Sequence, residues 1–257
     1  MRARALLAVL AAVGAVAVAA AGCGGSGTPA SVPAPGPGAG GPALVTPAPL
    51  PGHSVLARPG FSIVARARRG QVRLYRGPGS PRSWRVQRSP DARFPLVLLV
   101  KQARPGWLQV YLPVRPNQSL AWIRDADVTL HYDPYRVVVD LRHHRLTVWQ
   151  SDRALDHQRI GVGSVATPTP GGIYYIIEQF RLTDPGGPFG PYALGLSAYS
   201  NVLKSFGSGP GQIALHGTND PGGIGSNVSH GCIHLRNPEI ARLAHLLPLG
   251  TPVRILA

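Results

Sequence analysis

Beyond residue 60 the apolar positions fall in short runs, each closed by residues that turn a chain. Residues 72–75 are followed by Gly77-Pro78-Gly79, 96–100 by Arg104-Pro105-Gly106, and 107–112 by Pro116-Asn117, with a further run at 120–123. Such runs, bounded by Gly, Pro and Asn, read as strands, so residues 61–131 predict a small β-domain. Residues 135–141 (YRVVVDL) and 145–150 (RLTVWQ) flank a short polar connection, and 154–163 returns after Ser151-Asp152-Arg153; this predicts a β-meander. Another strand is expected at 173–177 (IYYII), behind the turn Thr167-Pro168-Thr169-Pro170-Gly171-Gly172, and a closing one at 252–256. The spacing becomes helical once. Ile240, Leu243, Ala244 and Leu247 make one apolar stripe, introduced by Asn237 as the expected N-cap, Pro238 at the first helical position and Glu239 at the positive helix end. The pattern predicts a mainly β chain with one short helix near its end.

The first 60 residues follow different rules. Arg2 and Arg4 precede an apolar Ala/Val/Leu run over residues 5–21, which closes on Ala20-Ala21-Gly22-Cys23. This reads as a secretory signal over 1–22, since the apolar run sits at the lower limit for a bilayer core of ~30 Å. Small residues directly before a cysteine resemble a bacterial lipobox, which implies that Cys23 is lipidated and holds the chain to the outer side of the membrane. Plain secretion and a retained anchor are the alternatives. Residues 23–60 are dominated by Gly, Pro, Ala and Ser and read as a tether, with too little apolar surface to offset its ordering entropy.

Composition narrows the classes. With Gly 32, Pro 27 and only 14% charged residues, coiled coils and helical bundles are excluded. Two cysteines so far apart, Cys23 and Cys232, make no disulfide framework. The net charge is +15, and no Asp or Glu occurs before Asp91, whereas Arg58, Arg66, Arg68, Arg69, Arg73, Arg76, Arg82, Arg85 and Arg88 crowd the stretch after the tether. That region attracts polyanions. An exported chain meets anionic lipid headgroups and anionic wall polymers rather than nucleic acid; solvated arginines without a dedicated ligand are the alternative. Trp107, Tyr111 and Trp122 are read as strand core, with a peptide or glycan groove as the other possibility.

The chemical focus is residues 216–232, HGTNDPGGIGSNVSHGC. A thiol with an ordinary pKa of about 8.5 is mostly protonated at neutral pH, so a catalytic cysteine needs a neighbouring base or cation. His216 can return beside Cys232 if the Gly/Pro/Asn-rich stretch folds as a loop between two strands. Gly231, just before the thiol, lets backbone N–H groups turn toward one point, as an oxyanion hole requires. These residues point to a Cys/His acyl-transfer site. A zinc site built from His216, His230, Cys232 and His234 lacks the usual paired-ligand spacings, and neither a metal nor a cofactor is expected.

Residues 216–237, HGTNDPGGIGSNVSHGCIHLRN, with the upstream TPTPGG and the downstream LLPLGTPVRI, resemble the catalytic domain of L,D-transpeptidases of the YkuD type, over roughly residues 132–257. Residues 106–123 resemble the SH3-like modules that precede catalytic domains in bacterial envelope enzymes. The resemblance implies a β-rich catalytic domain with a helix after the nucleophile, acting on peptidoglycan stem peptides. Cys232 matches the nucleophile and His216 the base. Gly217 matches the position whose carbonyl orients that base, and Ser229 the residue supporting the turn. The backbone N–H groups of His230, Gly231 and Cys232 match the oxyanion donors. It further implies 3→3 cross-links formed through a thioester, and acylation by carbapenems. The family often has Arg or Asn two residues after the cysteine; here that position is His234, and if the segment is extended Cys232, His234 and Arg236 share a face, so that either cation can take up a substrate carboxylate or hold the loop. An L,D-carboxypeptidase, protein-to-wall attachment and a catalytically inactive wall-binding lipoprotein are the rival functions.

Overall fold

The computed structural model describes residues 60–257. The leader at 1–22, Cys23 and the tether up to its last residue lie outside the described residues, as does Arg58. No helix among the described residues is long and apolar enough to cross a membrane.

The first stretch forms β1 (Ser62–Ala67), β2 (Gln71–Leu74), β3 (Arg85–Arg88), β4 (Val97–Arg104), β5 (Trp107–Tyr111), β6 (Leu120–Arg124) and β7 (Val128–Asp133). Five of them make an antiparallel sheet in the order β6-β5-β4-β1-β7, and β2 and β3 pair as a separate hairpin. Trp107 and Trp122 are buried with Tyr75 in a cluster of their own, so these aromatics are core and not groove. Arg66, Arg68, Arg69, Arg73, Arg76, Arg82, Arg85 and Arg88 are all exposed.

The second stretch contributes β8 (Tyr135–Asp140), β9 (Arg145–Gln150), β10 (Arg153–Arg159), β11 (Val162–Gly163), β12 (Gly172–Arg181), β13 (Tyr192–Tyr199), β14 (Gln212–His216), β15 (Asn227–Ser229), β16 (Ile233–His234), α1 (Asn237–Leu246) and β17 (Pro252–Leu256). Eight strands form one sheet in the order β10-β9-β8-β17-β12-β13-β14-β16. The chain is mainly β with a short helix after the cysteine segment, as its pattern predicts. Three local expectations change. Residues 154–163 are not one strand: Gly161 exchanges backbone hydrogen bonds with His234, 3.0 and 2.9 Å, and β11 leaves the meander to pair with β15. Asn237 is the first helical residue and Arg236 the cap, because the Asn237 amide is committed elsewhere, its Oδ1 accepting the Thr218 N–H at 2.9 Å. Pro238 therefore moves one place into the helix. The strand β13 escapes the hydrophobic pattern because it is buried on both faces and has no alternation to read.

The strand β12 stands between two cores. Tyr174 and Ile176 pack into the core of the large sheet, while Tyr175 and Ile177 point the other way, among Val64, Leu98, Leu108 and Val110 of the small one. The alternation is the two-residue period of a strand used on both faces. The Tyr175 ring is fully buried and its hydroxyl donates to the Tyr111 carbonyl at 3.0 Å. Tyr175→Ala is expected to lower unfolding free energy by about 3–5 kcal/mol and Tyr175→Phe by about 1 kcal/mol, read from denaturant melts; equal melts for all three proteins would contradict this packing.

Candidate active site

Two short strands assemble the site. The parallel pairing of β14 with β16 sets Leu215 opposite Ile233 and His216 opposite His234. Cys232 directly precedes β16, and register partners in a sheet present side chains to the same face. His216, Cys232 and His234 thus converge on one cavity of about 170 Å³, which Phe189, Leu203, Phe206, Ser229 and His230 also line.

The turn carrying Cys232 is held from inside. Ser229, itself buried, donates its hydroxyl to the Cys232 carbonyl at 2.6 Å and accepts the Gly231 N–H at 3.0 Å. Gly231 adopts φ +119°, a conformation costly for any residue with a Cβ. From a second direction comes the Thr-Pro-Thr-Pro turn. Thr169 donates to the Gly231 carbonyl at 2.9 Å and accepts the Gly163 N–H at 2.9 Å, and Thr167 donates to the Ser229 carbonyl at 3.2 Å.

His216 is 3% exposed, and its Nδ1 lies 2.6 Å from the Gly217 carbonyl oxygen. A carbonyl only accepts, so Nδ1 carries the proton and Nε2 keeps its lone pair. Phe189 packs edge-on to the imidazole at 5.1 Å, and the His234 ring lies 4.6 Å away. Burial, aided by the charge of His234 and opposed by the Gly217 hydrogen bond, lowers the His216 pKa to about 4. Burial likewise pushes the Cys232 thiol up, against a hydrogen bond from the Ala214 backbone. At neutral pH the resting pair is a neutral thiol and a neutral imidazole. Such a pair can transfer a proton as the sulfur attacks, without holding a preformed thiolate.

A family model for the L,D-transpeptidase catalytic domain of the YkuD type matches residues 134–255. The YkuD protein of Bacillus licheniformis is 36% identical to this chain over 60% of it and 82% of the relative. The chain belongs to the L,D-transpeptidase family. The YkuD protein of Bacillus subtilis is 39% identical over 48% of the chain and 66% of that protein. Among solved structures, L,D-transpeptidase 3 from Mycobacterium tuberculosis, in complex with a faropenem-derived adduct, aligns at 15% identity over 63% of this chain and 91% of that one, with a TM-score of 0.41.

Within this member of the L,D-transpeptidase family, the residues singled out by sequence have distinct placements. Ser229, Gly231 and Cys232 form one hydrogen-bonded turn, and His216, tied to the Gly217 carbonyl, lines the same cavity as Cys232. The Gly231 N–H is not free for an oxyanion, because the Ser229 hydroxyl accepts it; among the described residues the N–H groups of His230 and Cys232 make no hydrogen bond. The His230 side chain is exposed and stacks on Phe206 at 5.1 Å. His234 lines the cavity, but Arg236 does not: it lies exposed at the start of α1, 3.8 Å from Glu239. Strand pairing ends at His234 and Arg236 becomes the cap of α1, so of the face expected for Cys232, His234 and Arg236 only the first two line the cavity. Burial lowers the His234 pKa, with His230 adding to the effect and Asp220 opposing it. Burial therefore works against the cationic form that a carboxylate-binding His234 needs. No group of three or more His, Cys, Asp or Glu side chains among the described residues is placed to hold a metal ion.

Residue patterns alone pass over Thr169, Thr167, Phe189 and the structural use of Asn237. Only the TPTPGG turn gave a signal, and it did not reveal that two threonine hydroxyls reach the cysteine loop. Thr169→Val is expected to cost about 1–3 kcal/mol of stability, since it leaves a buried N–H and a buried carbonyl unpaired. It should also slow iodoacetamide alkylation of Cys232; unchanged stability and alkylation would remove Thr169 from the scaffold of the turn.

Proposed function

We propose that this chain is a peptidoglycan L,D-transpeptidase that forms 3→3 cross-links through a Cys232 thioester. The observation that carries the reading is the one cavity lined by both Cys232 and an imidazole whose Nδ1–H is tied to the Gly217 carbonyl, inside the domain that matches the family. The Cys232 sulfur attacks the carbonyl carbon of the diamino-acid residue before the terminal D-alanine, and His216 Nε2 takes the thiol proton. The same proton passes to the departing D-alanine nitrogen as the C–N bond breaks and the thioester forms. An acceptor amine on a neighbouring stem then attacks the thioester; Nε2 takes its proton and returns it to the sulfur. The N–H groups of His230 and Cys232 are the donors left to meet the oxyanion.

Water in place of the amine would make the same acyl-enzyme an L,D-carboxypeptidase. The apolar wall made by Phe189, Leu203 and Phe206 favours transfer to an organic acceptor over entry of water. In this reading Cys23 carries the lipid anchor, the tether spans from the membrane, residues 61–131 act as an SH3-like spacer, and the exposed arginines face anionic wall polymers or headgroups.

Intact-mass measurement of the full-length protein with a carbapenem tests the chemistry. One adduct per chain is expected in wild type and none in Cys232→Ala; an adduct that survives the substitution excludes Cys232 as nucleophile. His216→Ala should slow acylation by about 10²-fold or more, the usual scale for a lost general base. Muropeptides from cells expressing wild type should contain 3→3 linkages absent with Cys232→Ala, whereas tripeptide stems alone would indicate the carboxypeptidase.

The acid limb of the rate is a separate test. Protonation removes the base, so acylation should fall as pH drops through about 4, well below the unperturbed imidazole value near 6.5. His234→Ala removes both burial and a neighbouring positive charge from His216, so this limb should move to higher pH. A wild-type limb near 6.5 would contradict the burial argument.

A further inference from the structure

The cavity has one wall that the catalytic sheet does not hold by itself. Residues 200–211 connect β13 to β14 and contribute Ser200, Leu203, Phe206 and Gly211 to the cavity lining. Phe206 is 47% exposed and Val202 52%, so the loop gains little from apolar burial. Its internal bonds are few: Ser200 N–H to the Gly211 carbonyl at 2.8 Å, a bridge between Phe206 and Gly209, and the Ser200 hydroxyl accepting from Val202 and Leu203.

Beside the contact of Phe206 with the His230 ring at 5.1 Å, restraint comes from the β5–β6 loop of the small domain. Arg115 Nη1 donates to the Pro210 carbonyl at 2.8 Å, while Nη2 donates to the Leu203 carbonyl at 2.9 Å and the Ser200 carbonyl at 3.2 Å. Its guanidinium also covers the Tyr199 ring, 4.7 Å from the centroid. Asn117 donates to the Tyr199 carbonyl at 2.7 Å and to Asn201 at 3.1 Å, and accepts the Tyr199 N–H at 3.0 Å. The Tyr199 hydroxyl closes the contact on the Pro113 carbonyl at 3.1 Å. Gly211 has φ +69°, and a Cβ there would lie 2.4 Å from the Leu203 carbonyl, so the two ends of the loop pinch together where the guanidinium enters. Three carbonyls from both ends of one loop on a single planar fork is a geometry that lysine cannot reproduce.

We propose that Arg115 is a positioning residue for the active site: through it the small domain fixes the wall over Cys232 and so sets how tightly the acyl donor is held before chemistry. Arg115 touches neither Cys232 nor His216, so its effect belongs in binding and not in the attack itself. The proposal rests on the acyl-transfer reading for its kinetic arm only. Hydrogen exchange of residues 200–211 tests the structural arm whatever the reaction is.

The experiment compares full-length wild type, Arg115→Ala and Arg115→Lys. Carbapenem acylation is resolved into a half-saturating concentration and a limiting rate, with iodoacetamide alkylation of Cys232 as a probe too small to need the wall. For Arg115→Ala the half-saturating concentration should rise about tenfold, the scale of one charge-assisted hydrogen bond. The limiting rate and alkylation should stay within about twofold, and amide exchange should quicken across 200–211 but not around Cys232. Arg115→Lys should recover part of the loss, since an ammonium can still reach one carbonyl. Unchanged half-saturation together with unchanged exchange would overturn the proposal, as would a collapsed limiting rate with normal exchange. If Arg115→Ala does not fold, Asn117→Ala removes the neighbouring bonds to the same loop and is judged by the same two readouts. A wild type that is never acylated would defeat the transpeptidase reading and leave exchange to decide the role of Arg115.

Discussion

Everything at this site depends on the parallel pairing of β14 with β16. That ladder is only two residue pairs long, yet it turns two distant segments of sequence into neighbours on one face. So short a ladder needs support, and the structure supplies it around the ladder more than within it. Ser229 ties the turn from inside, Thr167 and Thr169 from the side, and the Gly161 bridge to His234 from the outer edge. The position of the thiol is a property of four converging segments, none of which would hold it alone.

Burial gives the pair its chemical character. Two groups that would each carry charge more easily in water sit where charge is costly, so the imidazole loses basicity and the thiol loses acidity together. The Gly217 carbonyl can orient the imidazole without a side chain because only one proton has to be fixed. A carboxylate in its place would raise the histidine pKa and favour the ion pair. A neutral carbonyl leaves the pair uncharged, which spares the thiol from premature oxidation.

The fold class and the chemistry-bearing residues were legible because both are written locally. Short apolar runs closed by turns mark β8, β9 and β12, the helical stripe marks α1, and His216 and Cys232 stand in one Gly-rich segment. What was not legible is what requires distance. The Thr169 hydroxyl meets a carbonyl 62 residues away, Asn237 looks like a helix cap but serves the loop after His216, and Arg115 looks like any solvated arginine in a chain full of them. The fate of the Gly231 N–H was hidden for another reason: whether an amide faces a substrate or a neighbouring hydroxyl is decided by the turn's geometry, which the letters SHGC do not specify.

The two-faced strand β12 has a consequence for the architecture of the chain. Sequence divides it into a binding-like module and a catalytic domain, with the family match beginning at residue 134. Tyr175 and Ile177 belong to the catalytic segment by sequence and to the small domain's core by packing. Cutting the chain at the family boundary would lay that apolar strip open to water and remove the acceptor of the Tyr175 hydroxyl. Evolution could exchange this small domain for another only by repainting one face of the strand, so the partnership between the two halves is fixed in the interior of the protein as well as in the order of the sequence.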